Sequence, residues 1–301
     1  MPDKSLIVIA GPTAIGKTAL SISIAKTFNS PILSADSRQF FKEMSIGTAK
    51  PTSSEMQGVP HYFIDSHSVS DEYNVGKYET EAIELLEKLF KSNDLIILVG
   101  GSGLYIDAIC KGFDKLPEAN VEIRDEIKAL FESEGIEGLQ KLLKKLDLNY
   151  YNKVDLQNPQ RMSRALEVCL TTGLPYSTLR EGKTKKRNFN IIKIGLNTSR
   201  EVLYERINNR VDEMIENGLL EEVKSLQQFK HLNALQTVGY KELFDYLDNK
   251  TDLNTAIDLI KQNTRRFAKR QLTWFRRDEE MKWFEPNQMT EILNYLHSKL
   301  N

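Results

Sequence analysis

The segment LIVIAGPTAIGKTAL, residues 6–20, combines a strand pattern, a glycine-containing loop and a helix pattern. The apolar run from Leu6 to Ala10 predicts a short buried strand, and the residues from Ala19 onward predict a helix. Between them, residues 11–18 match the spacing G-x-x-x-x-G-K-S/T, whose glycines allow successive backbone N–H groups to point at an anion. We therefore expect a phosphate-binding loop with a strand before it and a helix after it.

The loop contains side chains suited to holding phosphate. Lys17 supplies a point charge, and Thr18 offers a hydroxyl to a phosphate or to a bound Mg²⁺. The same motif is typical of ATP-binding proteins, so it indicates a phosphate group without identifying the molecule that carries it. The residues expected to form the phosphate site are Gly11, Pro12, Thr13, Ala14, Ile15, Gly16, Lys17 and Thr18.

The chain on either side of its middle third alternates strand and helix patterns. Further strands are predicted at 32–35, 95–99 and 191–196, and helices at 77–91, 200–216, 219–228 and 254–277. This alternation predicts a parallel, three-layered α/β core of the P-loop NTPase type, with the sheet flanked by helices.

The segment 116–187 carries helical patterns only, at 120–133, 136–146 and 159–172. The last of these has Asn158 and Pro159 at its start and Gly173 after its end, which are typical helix boundaries. We expect residues 116–187 to form an inserted all-helical subdomain, and residues 1–115 and 188–301 to form the core.

Composition limits the classes of function. The 301 residues are 40% apolar and carry a formal net charge of −1, so a nucleic-acid partner would have to be held by local basic patches. Cys110 and Cys169 lack partners at metal-ligand spacing and are expected to be buried thiols. No apolar run approaches the length of a signal peptide or a membrane span, so we expect a cytoplasmic protein without a membrane partner.

A candidate catalytic carboxylate follows the second predicted strand. Asp36 lies at the carboxyl end of that strand, where the side chains of a parallel sheet face the ligand crevice, although taken alone it equally fits a turn cap. The strand at 95–99 ends in Gly100-Gly101 and lacks the Asp with which P-loop ATPases and GTPases hold Mg²⁺. This pattern favours a ligand whose diphosphate leaves in the reaction.

Three basic patches favour a bound polyanion. The segment NTRRFAKRQLTWFRR, residues 263–277, places cations around Phe267 and Trp274, and Gln271 shares their helix face. The other two patches are residues 183–187 and the set Gln160, Arg161 and Arg164. A helix that packs its aromatic residues into a core and exposes its arginines is the alternative interpretation of the first patch.

The sequence resembles the tRNA dimethylallyltransferases, also called tRNA isopentenyltransferases, over nearly its whole length. The matching stretches are GPTAIGKT (11–18), SADSRQ (34–39), IGTAKP (46–51), GVPHYFID (58–65), VGGSGLYI (99–106), NPQRMSRALEV (158–168), RVDEMIENGLLEEV (210–223), TVGYKE (237–242) and TRRFAKRQLTWFR (264–276). Three features depart from the family pattern: Ile15 replaces a small polar residue, Ser102 replaces threonine, and residues 157–159 lack an acid before the proline. Without a zinc finger, the chain resembles the compact bacterial form.

The resemblance implies transfer of a dimethylallyl group from dimethylallyl diphosphate to N6 of the adenine adjacent to the tRNA anticodon, by a monomeric enzyme that uses Mg²⁺. It gives catalytic roles to Asp36 as base, to Ser102 near the reacting atoms and to Arg210 on the diphosphate, with Thr18 towards the metal ion. The residues that the resemblance assigns to tRNA binding are Asp36, Ser37, Arg38, Gln39, Ser102, Arg124, Gln160, Arg161, Met162, Ser163 and Arg164.

Three other classes of protein remain open from the sequence. A P-loop kinase or NTPase would use ATP, and the missing acid at the strand end argues against it. A prenyltransferase acting on free adenylate would not need the basic aromatic helix or the helical insertion. An RNA-binding module without activity would not need the set Lys17, Thr18, Asp36 and Arg210.

Overall fold

The computed structural model describes residues 4–114, 116–118, 120–180, 182 and 184–300. The chain divides into two compact units: Met1–Cys110 together with Arg187–Asn301, the core unit, and Lys111–Lys186, the helical unit. Within the described residues, no helix is both long and apolar enough to cross a membrane.

The core unit is built on a six-stranded sheet in the order β3-β2-β4-β1-β5-β6, in which every pairing is parallel. Its strands are β1 (Ser5–Ala10), β2 (Ile32–Ser34), β3 (His61–Tyr62), β4 (Leu95–Gly100), β5 (Asn190–Leu196) and β6 (Lys282–Phe284). The central strand β1 is buried along its whole length, because β4 and β5 pair with its two edges and helices cover both faces.

Thirteen α-helices are formed by the described residues: α1 (Lys17–Phe28), α2 (Ser53–Met56), α3 (Val75–Leu89), α4 (Gly103–Cys110), α5 (Val121–Leu146), α6 (Leu148–Tyr151), α7 (Pro159–Thr172), α8 (Tyr176–Leu179), α9 (Arg200–Glu216), α10 (Leu219–Ser225), α11 (Tyr240–Leu247), α12 (Leu253–Phe275) and α13 (Met289–Leu300). Helices α5 to α8 belong to the helical unit, and the others belong to the core unit.

Alternate residues of the central strands point to opposite sides of the sheet and pack into two separate apolar layers. Ile7 and Ile9 face α1, α9 and α13, whereas Leu6 and Val8 face α3 and α4. Helix α12 contributes to both layers, through Ala268 on one side and Phe275 on the other. The three-layered parallel core predicted from the sequence is therefore confirmed.

A third apolar cluster of the core unit joins α10, α11 and the first half of α12 to the segment around Met44. Tyr240 and Leu243 are fully buried in this cluster. The cluster stabilises a region that follows β2 in sequence, and this region forms one wall of the site described below.

The helical unit has its own core between α5 and α7, which contains Leu139, Leu143 and Leu166. Helix α5 is interrupted at Gly135, where φ is 63° and ψ is −157°, so it corresponds to two predicted helices joined at a kink. Helix α7 has the predicted bounds, with the side chain of Asn158 accepting a hydrogen bond from the Arg161 N–H and Gly173 in the left-handed region after its end. Cys110 and Cys169 are both buried, as expected.

The shortest elements were not predicted from the sequence. Strands β3 and β6 have only two and three residues, too few to show a period of two. Helices α4, α11 and α13 were also missed, although each has 8 to 12 residues.

Candidate active site

The phosphate loop connects β1 to α1 and is shaped by its two glycines. A Cβ on Gly11 would lie 2.8 Å from the carbonyl oxygen of Leu196, so only glycine allows β5 to approach this closely. Gly16 has φ 104° and Ala14 has φ 62°, both in the left-handed region. Such alternation of backbone conformation turns successive N–H groups towards one point and creates an anion site at the N-terminus of α1. The side chain of Ile15 points away and is fully buried in the core.

Two cationic side chains reach this loop from different directions. The Nζ of Lys17 donates to the carbonyl of Pro12 at 2.8 Å, which folds the side chain over the loop. Arg210, on α9, donates from Nη1 to the hydroxyl of Thr13 at 3.3 Å. Both cations therefore lie at the phosphate loop, where they can meet an anion.

Burial changes the acidity of the Lys17 ammonium. Removal from water is the main cause that lowers its pKa, to about 8; the carboxylate of Asp36 opposes this shift, and the neighbouring charge of Arg210 adds to it. Burial also lowers the pKa of Arg210, with Asp36 again opposing. The mutual influence indicates that Asp36 and the two cations share one small volume.

Asp36 follows β2 and is held in a turn. Its Oδ1 accepts a hydrogen bond from the Arg38 N–H at 2.9 Å, so the turn-cap role considered from the sequence is real. Its Oδ2 has no hydrogen-bond donor among the residues that the structure describes. The cap thus orients the carboxylate and leaves one oxygen for a ligand in the cavity that Asp36 lines.

Ser102, which follows β4, stabilises the turn that contains Asp36. Its Oγ accepts the Ser37 N–H at 3.0 Å and donates to Ser37 Oγ at 3.1 Å. Arg38 donates from Nη2 to the carbonyl of Asn233 at 3.3 Å. These side chains flank Asp36 and are absent from the described lining of the cavity, whereas Gln39 is part of that lining.

A cavity of about 940 Å³ lies within the core unit and brings the predicted groups together. Residues 13–18 of the phosphate loop line one end together with Arg210. Asp36, Gly100 and Gly101 also line the cavity. Ile46, Met214 and Phe267 add apolar surface. The cavity can therefore accept a phosphorylated group with an apolar part and present a carboxylate to it.

The segment 45–50 forms a further wall and is held by Glu222 of α10. The carboxylate of Glu222 accepts three backbone N–H groups, from Ser45 at 2.9 Å, Ile46 at 2.8 Å and Gly47 at 3.0 Å, and the Tyr240 hydroxyl at 2.6 Å. Gln39 donates to the carbonyls of Thr48 and Ala49 and so ties the same segment to β2. The wall is fixed on both sides.

Several residues in the cavity were not identified from the sequence. Arg206 lies one helical turn before Arg210 on α9 and donates to the carbonyl of Ile15 at 3.4 Å. The spacing of four between these arginines was a signal that could have found it. Glu213 and Lys50 also line the cavity; both lie in stretches that match the family, 210–223 and 46–51, but charge and spacing alone do not distinguish them from surface residues.

The predicted tRNA-binding residues of the helical unit occupy different environments. Arg124 and Arg164 each lie 2.9 Å from an oxygen of the buried Glu167. Gln160 and Arg161 are exposed and Ser163 is partly exposed, but the side chain of Met162 is fully buried in the core of the unit. The thioether of Met162 therefore cannot contact a ligand in this structure.

The basic helix α12 combines both interpretations made from its sequence. Phe275 is buried in the core, while Lys269, Arg270, Arg276 and Arg277 are exposed. Phe267 is 38% exposed, lines the cavity and has the guanidinium of Arg270 at 5.7 Å from its ring centre. In the second basic patch, Lys183 lies outside the described residues, and Arg187 binds Glu79 and the carbonyls of Ala108 and Ile109.

A parallel sheet that presents a phosphate loop, two arginines and an oriented carboxylate to one cavity defines a P-loop-type α/β enzyme acting on a phosphorylated substrate. The model of the family described as IPP transferase matches residues 39–278. The chain belongs to this family, as the resemblance of its sequence motifs had indicated.

The names of similar proteins agree with this assignment. A tRNA dimethylallyltransferase from Christiangramia forsetii is 54% identical, with 98% of each chain covered, and a tRNA dimethylallyltransferase 1 from Bacteroides thetaiotaomicron is 50% identical, with 97% of this chain and 95% of that one covered. The tRNA isopentenylpyrophosphate transferase from Bacillus halodurans has a similar structure, with a TM-score of 0.73, 39% identity and coverage of 99% and 97%. A eukaryotic dimethylallyltransferase acting on tRNA gives a TM-score of 0.75 at 30% identity, over 90% of this chain and 70% of that one.

Proposed function

We propose that this chain transfers the dimethylallyl group of dimethylallyl diphosphate to N6 of the adenine adjacent to the anticodon of a tRNA and releases diphosphate. The observation that carries the proposal is the shared cavity, in which a phosphate loop with Lys17 and Arg210 lies together with the oriented carboxylate of Asp36. Family membership supports the same chemistry, since relatives over the full length are tRNA dimethylallyltransferases.

The reaction forms one bond and breaks another. The N6 lone pair attacks the first carbon of the dimethylallyl group, and the bond from this carbon to the diphosphate oxygen breaks with its electron pair leaving on diphosphate. An exocyclic adenine amine is a poor nucleophile because its lone pair is delocalised into the ring, so Asp36 accepts the N6 proton as positive charge develops there. Oδ2 of Asp36 is the oxygen suited to this step, because Oδ1 already binds Arg38.

Negative charge grows on the leaving diphosphate, where the phosphate loop stabilises it. Lys17, Arg210 and Arg206 surround this end of the cavity, and the N–H groups of residues 14–18 add partial positive charge. The adenine is stacked in the anticodon loop and has to turn out of the stack to enter the cavity. Phosphoryl transfer from ATP is less well supported, because β4 ends in Gly100 and offers no carboxylate to a metal ion.

A magnesium ion fits this donor set when it is shared with the substrate. Among the described residues, no group of three or more His, Cys, Asp or Glu side chains could hold a metal ion. Mg²⁺ is usually bound by few protein ligands together with substrate phosphates, and the hydroxyl of Thr18 in the cavity is suited to be one such ligand. When bound, the ion would neutralise part of the diphosphate charge.

For tRNA binding we propose residues 36–39 and Ser102 in the core unit, and Arg124, Gln160, Arg161, Ser163 and Arg164 in the helical unit. The exposed Arg161 supports this proposal, and Arg124 and Arg164 keep part of their side-chain surface exposed beside Glu167. Met162 would contribute by fixing α7 and not by direct contact. We propose that the inserted helical subdomain serves as a tRNA-contacting module, and that the protein acts as a cytoplasmic monomer.

The test is incubation of the purified protein with Mg²⁺, dimethylallyl diphosphate and an unmodified tRNA transcript, followed by mass spectrometry of the nucleosides. We expect an adenosine heavier by one prenyl group, formed about 10²- to 10⁴-fold more slowly when Asp36 is replaced by Asn. A transcript in which only the adenine next to the anticodon is replaced by guanine is the matched control for the position of transfer.

Two outcomes would contradict the proposal. Prenylated adenylate formed in a parallel reaction without any prenylated tRNA would place the enzyme among the prenyltransferases acting on free adenylate. Consumption of ATP with no prenylated product from either acceptor would favour a kinase or NTPase.

A further inference from the structure

The side chain of Gln271, on α12, bridges two loops of the site. Its Oε1 accepts a hydrogen bond from the Thr13 N–H at 2.9 Å, and its Nε2 donates to the carbonyl of Gly101 at 2.9 Å. The residue is 7% exposed. Because one partner only donates and the other only accepts, the orientation of the amide is determined by chemistry. A single buried amide thus joins the phosphate loop after β1 to the turn after β4.

On the phosphate side, the bridge restricts Thr13. The Thr13 N–H is engaged by Gln271, and the Thr13 hydroxyl binds Arg210, one of the cations proposed to hold diphosphate. The expectation that all of residues 11–18 bind phosphate is therefore too broad for the backbone N–H of Thr13. Thr13 instead connects α12, through Gln271, to the phosphate loop and to Arg210.

On the acceptor side, Gly101 directly precedes Ser102, whose hydroxyl binds the backbone of Ser37 next to Asp36. The fit at Gly101 is close, since an added Cβ would lie 2.4 Å from Nε2 of Gln271. A side chain at this position would displace the amide. The glycine thus makes room for the bridge.

We propose that Gln271 is a positioning residue that sets the spacing between the diphosphate site and the Asp36 carboxylate. This inference rests on the proposed function. Displacement of a reacting group by about 1 Å can lower a rate about a hundredfold, so a bridge between the loops that hold donor and acceptor acts mainly on the chemical step. Gln271 itself takes no proton and carries no charge.

The first test replaces Gln271 by Met, which has a similar volume and cannot form the two hydrogen bonds. We expect the single-turnover rate of prenyl transfer to fall about ten- to a hundredfold, with the affinity for dimethylallyl diphosphate changed less than about threefold. Rates are normalised to the number of diphosphate-binding sites, so that loss of folded protein does not count as loss of rate. Gln262→Met is the matched control, because Gln262 is exposed on the same helix.

The second test uses Gln271→Glu and pH. A deprotonated Glu accepts from Thr13 but faces the Gly101 carbonyl with a second oxygen, whereas a protonated Glu can form both hydrogen bonds. Burial raises the pKa of an introduced carboxyl. We therefore expect the rate of Gln271→Glu relative to the unmodified chain to rise as pH falls, while the same ratio for Gln262→Glu stays constant.

The possible results separate this inference from the proposed function. A Gln271→Met rate per site within threefold of normal, or a Gln271→Glu ratio independent of pH, would overturn the positioning role while prenylated tRNA is still formed by the unmodified chain. Absence of prenylated tRNA with the unmodified chain would overturn the proposed function, and the inference with it.

Discussion

The depressed pKa of Lys17 makes the affinity for the diphosphate substrate depend on pH. In the protein without substrate, burial and Arg210 lower the pKa of this ammonium to about 8. A bound diphosphate favours the protonated form, so binding above that pH requires uptake of a proton. Affinity should therefore be constant well below about pH 8 and decrease above it.

The size of the effect follows from the fraction of protein in which Lys17 is protonated. If only the protonated form binds, the dissociation constant rises by a factor of one plus the ratio of neutral to charged Lys17, which is roughly elevenfold at one pH unit above the pKa. Dimethylallyl diphosphate is the ligand to use, because its last ionisation is nearly complete above about pH 7 and adds no slope of its own.

The assay is calorimetric titration of the protein with dimethylallyl diphosphate in Mg²⁺ between about pH 6.5 and 9.5, in buffers of different ionisation enthalpy. Lys17→Arg is the matched control, because a guanidinium keeps its proton throughout this range. We expect proton uptake and a loss of affinity that reaches roughly elevenfold at about pH 9, relative to about pH 6.5, in the unmodified chain only. An affinity independent of pH, or the same slope in Lys17→Arg, would refute the reasoning.

Three further predictions concern single side chains. Asp36→Asn keeps the acceptor for the Arg38 N–H and should lower turnover about 10²- to 10⁴-fold with little change in the affinity for dimethylallyl diphosphate. Single-turnover kinetics and titration measure the two quantities. Near-normal turnover would exclude Asp36 as the base. Glu222→Gln should lower the free energy of unfolding by about 1–3 kcal/mol in urea titrations, because it weakens the hydrogen bonds to segment 45–47. The exposed Glu221→Gln is the control, and an equal free energy of unfolding for the two variants would contradict this prediction. Arg161→Ala should weaken tRNA binding and reduce its salt slope by about one, whereas the control Lys128→Ala should not; equal slopes would remove Arg161 from the interface.

Long elements with clear periodicity were predictable from the sequence. The strands at 95–99 and 191–196 and the helices at 159–172 and 200–216 agree with the structure to within a residue or two. Their apolar spacing is a local property, and burial on a sheet or against a neighbouring helix only reinforces it. Strands β3 and β6 could not be found in this way, since their two or three residues show no period of their own and each strand is defined by its pairing, with β2 and β5 respectively.

The site was predictable in part for the same reason. A residue that acts through its position in a motif, such as Lys17 in the phosphate loop, can be recognised from spacing alone. The role of Glu222 could not, because Glu222 is one of two adjacent acids on α10 until the fold places it against three N–H groups of another segment.

The sequence by itself determined that this chain has a strand, a phosphate loop and a helix at its start, because close spacing along the chain produces that local geometry. Only the tertiary structure decided which distant groups control the loop. Gln271 is 258 positions from Thr13 and 170 from Gly101, and its hydrogen bonds to them form only after α12 has packed on the sheet. Local pattern specifies backbone conformation, whereas the partner of a buried polar group depends on how the whole chain folds.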